Sequence, residues 1–279
     1  MQTRSRIGNL KHPHWLFVAG YAGVLTLLYL AIGPVRQTSA YHQFVDVRAW
    51  CGVPRFGDVL SNGVILFSGL FAASLFAAAR HDPLAGKTDR IFIVFMIGVI
   101  GTAMGSSFYH WAPSDARLVW DRLPMTIVLQ ASLALVIANR FGMALGEKFV
   151  CVLLPVGALS VIWWAWQGDL LPYLVIRIGA GLCVIAVLLR RFSWRTDRWF
   201  VVALALDPVL TWFEHHDSDV FWWTQQLVSG HTVKHVLAGV ALACVCLWWR
   251  EQAAIRTLGF TRPNADTPYK TPSPARHAA

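Results

Sequence analysis

Three histidines at the edges of apolar segments carry most of the chemistry this chain can do. His110 closes Ser106-Ser107-Phe108-Tyr109-His110, and His231 and His235 stand four apart in His231-Thr232-Val233-Lys234-His235. Residues four apart share one helix face a turn apart, so His231 and His235 direct their imidazoles to one point, and Ser106 lies on the face of His110. Ser107, three before His110, shares that face too and is the alternative to Ser106. Ionisable groups at membrane depth are costly, which makes a functional site the default reading of such residues. Three imidazoles with one position left open form a ligand set for catalytic Zn²⁺, which acts as a Lewis acid and makes the water in the fourth position more acidic. Imidazole ligands also suit other first-row ions. Asp121, eleven residues after His110, is placed to take or give a proton. Ser106 can hydrogen-bond the water or a developing oxyanion.

The elements that must position these groups are membrane helices. Of 279 residues, 56% are hydrophobic and only 14% charged, a balance outside that of soluble domains. Apolar runs long enough to cross a hydrocarbon core roughly 30 Å thick fall near 15–33, 59–79, 91–110, 123–139, 149–166, 171–189, 199–213 and 231–249. The run 199–213 is the weakest, being short and carrying Asp207-Pro208. With the N-terminus inside, inner segments hold seventeen Lys and Arg and outer segments six, with Arg177 inside a helix. Basic loops stay cytoplasmic, so both termini are expected there. Under that topology the third apolar run ends, and the eighth begins, at the outer face. All three histidines therefore reach one membrane edge, although the topology was set by Lys and Arg alone. The formal charge of +9 is accounted for by this asymmetry and by anionic lipid heads; no nucleic-acid signature is present.

The remaining features read as structural. Basic residues precede the first apolar run and Thr38-Ser39-Ala40 follows it, but the run is longer than a signal-peptide core and is expected to remain as a helix. Cys51, Cys151, Cys183, Cys244 and Cys246 form no C-x-x-C pair and read as packing residues. The other seven histidines, His42 among them, read as solvated. Glu214-His215-His216-Asp217-Ser218-Asp219 is expected to be a solvated loop in which Glu214 supports neighbouring backbone, with a second metal site as the rival reading. Arg177 and Asp207 are expected to pair within the membrane. Many of the 14 tryptophans flank segment ends, as an interfacial belt does. The tail from Arg262 is proline-rich and reads as disordered.

Three stretches carry a family resemblance. Gly105-Ser106-Ser107-Phe108-Tyr109-His110, then Trp120-Asp121-Arg122-Leu123-Pro124-Met125, then Ser229-Gly230-His231-Thr232-Val233-Lys234-His235-Val236-Leu237-Ala238-Gly239 resemble the signatures of alkaline ceramidases. Those belong to a superfamily of intramembrane hydrolases that includes adiponectin-receptor-like and hemolysin III-like proteins. The serine, histidine and aspartate pattern is common to the superfamily, and the Asp121-Arg122-Leu123-Pro124-Met125 continuation points to the ceramidase branch. The resemblance covers residues 50–250, within which Asn62 resembles the start of the family's first helix. It implies that His110, His231 and His235 bind zinc, that Asp121 handles protons, and that Ser106, preferred over Ser107, stabilises the oxyanion of an amide under hydrolysis. Members that use calcium have acidic residues around a Trp-Cys pair. Here Trp50-Cys51 is flanked by Ala49 and Gly52, with Arg55 nearby, so a calcium site is expected to be absent.

The sequence thus predicts an all-α membrane protein, a seven-transmembrane-helix hydrolase core over 50–250 with one extra N-terminal transmembrane helix within 1–49, and a cytoplasmic tail over 251–279. The expected activity is zinc-dependent hydrolysis of ceramide or a related N-acyl lipid, met within the bilayer near the outer face. A zinc-containing lipid receptor or sensor without turnover is the alternative. A structural zinc prefers a closed fourth position, and no fourth protein ligand is evident, which favours the enzyme.

Overall fold

Long apolar stretches leave the backbone no polar partner but itself, and the chain answers with helices. The computed structural model describes residues 13–80, 89–190 and 192–257, and among them the elements are helical apart from two isolated bridges. In chain order they are α1 (Pro13–Ile32), a 3₁₀ turn (Ser39–His42), α2 (Phe56–Arg80), α3 (Arg90–Trp111), α4 (Asp115–Phe141), α5 (Met143–Gln167), α6 (Leu171–Leu189), α7 (Trp194–His215), α8 (Asp217–Trp223) and α9 (Gly230–Thr257). Seven of these, all but α7 and the short α8, are long and apolar enough to cross a membrane. The protein is a multi-pass, all-α membrane protein. Helix α7 has the length, but Arg195, Asp197, Arg198, Asp207 and Glu214 lower its apolarity, in keeping with its weak signal in the sequence. Helix α9 continues to Thr257, into the segment expected to be tail, and residues 258–279 lie outside the described residues.

Local chemistry sets the helix ends. Asp89 caps α3 by accepting a hydrogen bond from the Phe92 amide, and Ser114 caps α4 through the Arg117 amide. Gly168, at φ +67, closes α5 with its amide on Trp164 O at 2.7 Å. That left-handed position suits glycine, and α6 starts three residues later.

Helices α2, α3, α4 and α5 pack in sequence, and α9 closes on α2 and α7. Helix α1 lies outside this group, touching only the flank formed by α5 and α6. Between α6 and α7 there is no extended contact. One end of the bundle is solid: Phe92 stacks on Trp249 at 3.7 Å, and the fully buried Arg140–Asp197 pair closes at 2.9 Å. At this end Asp89, before α3, binds Trp249 and Arg256, late in α9. Both described chain ends lie here, and His110 and His231 lie at the opposite end.

Candidate metal centre

The histidine end is built by close helix crossings. A Cβ on Gly105 would stand 1.9 Å from Trp120 O, so only glycine lets α3 and α4 approach there. That approach sets Ser106 against Asp121. A Cβ on Gly239 would stand 2.8 Å from the Val64 backbone, and Ser68 Oγ donates to Gly239 O at 2.6 Å, fixing α9 on α2. Gly230 is pressed on Phe213 O and on Asp217, which fixes the start of α9 beneath the α7–α8 turn. Asp217 then accepts the His231 amide at 2.7 Å with one carboxylate oxygen and the Val45 amide at 3.1 Å with the other. A carboxylate at a helix N-terminus is also favoured by the helix dipole.

These constraints bring His110, His231 and His235 together, buried at 1%, 4% and 4% exposure. Their ring centroids form a nearly equilateral triangle with sides of 4.7, 4.8 and 4.7 Å. Each offers one nitrogen, and the three nitrogens lie within 4.8 Å of one another, a set that can hold a metal ion. His110 Nε2 and His231 Nε2 are 3.2 Å apart. Two nitrogens at 2.0–2.1 Å from a tetrahedral zinc would be about 3.3 Å apart, so the donor set fits such an ion. His235 Nδ1 is taken up by Ser61 Oγ at 2.9 Å and Asp58 O at 3.1 Å, which leaves Nε2 for the centre. Second partners of this kind fix the tautomer and ring orientation of ligating histidines. Asp58, itself fully buried, accepts from Thr232 Oγ1 at 2.8 Å and Ser229 Oγ at 3.3 Å, binding α2 to the first turn of α9.

Beside the triad lies a cavity of about 550 Å³. Ser106, Asp121, His231 and His235 are on its wall, with Ile65, Met125, Leu129 and Leu174 supplying apolar surface. Ser107 points elsewhere, donating to Val59 O on α2 at 3.4 Å. The linker between α1 and α2 covers the end of the bundle. Its Val35 pairs with Asp169 and Leu170, and Arg48 binds Asp46 and the carbonyl of Leu227. Phe44 lies edge-on against His110 and His231 at 4.7 and 4.6 Å, closing the centre from that side. Compared with protein-family models and with curated proteins, the chain matches none.

Several of these residues have roles that the sequence reading did not give them. His42 is not simply solvated: its ring bonds Tyr109 OH at 2.9 Å and Asp115 at 3.1 Å, holding the linker to α3 and α4. The segment 214–219 is helical on both sides of His216. Glu214 pairs with Lys234, while His215 and His216 bond the carbonyls of Thr211 and Trp212. Arg177 and Asp207 both line the cavity, yet among the described residues they form no ion pair. The two act on each other across the cavity without closing to ion-pair distance. The α9 cap had a sequence signal, because Ser229 Oγ accepts the Thr232 amide at 3.0 Å and serine is a favoured cap residue. Phe44, Asp58 and Asp217 act across long sequence separations and carry no local mark.

Proposed function

We propose that the protein is a zinc-dependent intramembrane amidase, hydrolysing the amide of ceramide or a related N-acyl lipid to a fatty acid and an amine. The observation that carries this reading is the buried trio of imidazole nitrogens with Ser106 and Asp121 beside it on the wall of one cavity. The resemblance of the Gly105–His110, Trp120–Met125 and Ser229–Gly239 stretches to alkaline ceramidases supports the choice of an amide. Zinc held by His110, His231 and His235 would supply a Lewis acid and a water more acidic than bulk.

The chain's own residues do the rest. Ser106 donates a hydrogen bond to the carbonyl oxygen as charge develops on it. Asp121 takes a proton from the attacking water and returns it to the amide nitrogen as the C–N bond breaks. The water oxygen ends on the acyl carbon, and the proton ends on the leaving amine. Asp58 and Ser61 hold the His235 ring in place through this cycle. Phe44 excludes bulk water, and the acyl chain lies along Ile65, Met125 and Leu129. The unfilled seam between α6 and α7 gives a lipid lateral access from the bilayer.

In this reading both termini are cytoplasmic and the centre is near the outer face. Support comes from the placement of Arg140, Arg195, Arg198, Arg250 and Arg256 toward the end opposite the histidines. The test is fatty-acid release from N-acyl sphingoid lipids by the detergent-purified chain, before and after chelation. Release that stops with chelation and returns with zinc is expected; release indifferent to chelator, or none from any N-acyl lipid, contradicts the reading.

A further inference from the structure

Two arginines on the cavity wall have no part in the proposed reaction. Arg122, next to Asp121, is 4% exposed and lines the cavity. Its guanidinium is boxed by aromatic faces, with Trp164 at 4.1 Å, Tyr173 at 5.1 Å and Tyr41 at 5.4 Å. One terminal nitrogen donates to Gln37 Oε1, while the other, Nη1, is buried without a partner. Arg177 lies one turn beyond Tyr173 on α6, reaches the same cavity, and makes no hydrogen bond or ion pair with any described residue. Counting from the helix starts, Arg122 is about 10 Å and Arg177 about 9 Å down from the histidine end. His235 is about 8 Å down α9 by the same rise, so both cations stand at the level of the centre.

The other charges around the cavity are accounted for. Lys234 and Glu214 neutralise each other at 2.5 Å. Asp217 is spent on the amides of His231 and Val45. Asp121 is assigned to proton transfer, and Asp207 and Glu214 act on Arg177 only electrostatically, with no ion pair to it. An unpaired guanidinium at membrane depth is expensive, and its planar donors match the oxygens of a carboxylate or phosphate. An electroneutral head group such as that of ceramide would leave Arg122 Nη1 without a hydrogen-bond partner and Arg177 without an ion pair.

We infer that Arg122 and Arg177 form an anion subsite, and that the preferred ligand is an N-acyl lipid carrying a carboxylate or phosphate a few bonds from its amide. This rests on the amidase reading for its substrate class but not for its test, which reads binding. The aromatic box holds Arg122 on the cavity wall with Nη1 free to donate, and Arg177 closes on the anion from the α6 side. Discrimination then comes from leaving these donors unpaired when the anion is absent.

The experiment compares N-palmitoylglycine with N-palmitoylethanolamine, which differ only in a carboxylate against a hydroxymethyl group. Binding is read on the full chain in detergent by ligand-dependent thermal stabilisation, for the unsubstituted protein and for Arg177→Gln, Arg122→Lys and Asp207→Asn. At least about tenfold tighter binding of the acid is expected, since hydrogen bonds to charged groups exceed neutral ones by that order. The preference should fall below about threefold in Arg177→Gln, weaken in Arg122→Lys, and persist in Asp207→Asn. A third ligand, ceramide 1-phosphate against ceramide, distinguishes phosphate from carboxylate as the anion preferred. Equal binding of both palmitoyl amides, or a preference indifferent to both arginine substitutions, overturns the inference. Loss of the preference in Asp207→Asn would also overturn it, because Arg177 would then act as a structural partner of Asp207. Preferred binding of the acid without fatty-acid release would contradict the amidase while leaving the subsite intact; release from both amides at equal affinity would do the reverse.

Discussion

Asp121 and Ser106 are separated by chain direction and helix, yet one glycine-to-backbone contact makes them neighbours. Their proposed roles differ in a way that kinetics can separate. Asp121→Asn keeps the shape but cannot carry the proton, and kcat should fall about 10²–10⁴-fold. Ser106→Ala removes one donor to the developing oxyanion, with an expected loss of about 10²–10³-fold in kcat. Both variants should retain bound metal, because neither is among the three imidazole donors. Metal lost together with activity in Asp121→Asn would make that carboxylate a ligand instead. The pairings of His231 with His235 and of Ser106 with His110 were legible in the sequence because a spacing of four is helix arithmetic, whereas Asp121 lies on the next helix and was picked out by its place at the same membrane edge and by the resemblance. Phe44, Asp58 and His42 were not, since each acts through a fold contact with a residue at least 65 positions away, as with Phe44 and Tyr109.

At the scale of elements, the site depends on how closely α3 approaches α4 and α9 approaches α2. Gly105→Ala places a methyl 1.9 Å from Trp120 O, a backbone atom that cannot rotate away. The helices must separate, and a cost at or above the upper end of the usual 1–3 kcal/mol for overpacking is expected, at least about 3 kcal/mol. The thermal midpoint in detergent should drop and activity should be lost with it; an unchanged midpoint would show that the crossing is looser than described. Helix existence was readable from long apolar runs, and α7 was readable as the exception because Asp207-Pro208 weakens its apolar run, although the helix passes through Pro208 unbroken. The linker over residues 33–55 was not readable as a cover. Its hold on the bundle is made of single contacts, Val35 to Asp169, His42 to Asp115 and Arg48 to Leu227, none of which has periodicity.

For the whole molecule, a solid end and a hollow, covered end divide the work. The Arg140–Asp197 pair and the stacked Phe92 and Trp249 hold one end, and the cavity and three imidazoles occupy the other. Removing one member of a buried pair typically costs about 3–5 kcal/mol, which makes this end resist opening; in the proposed reading a ligand enters between α6 and α7 instead. The proposed orientation puts exposed Cys51, in the linker at the histidine end, outside the cell membrane. A membrane-impermeant thiol reagent should therefore label intact cells, and Cys51→Ser should abolish that labelling; labelling only after lysis would invert the topology. The basic asymmetry was legible in the sequence, whereas the surroundings of the cavity arginines were not, because Arg122 is enclosed by side chains from the linker, α5 and α6, and Arg177 lies across the cavity from Asp207. The central claim is the metal. Elemental analysis of the detergent-purified chain beside His231→Ala tests it most directly. About one zinc per chain, lost in the variant while the helical fold is retained, is the predicted result; a chain without bound metal, or equal zinc in both proteins, would contradict it.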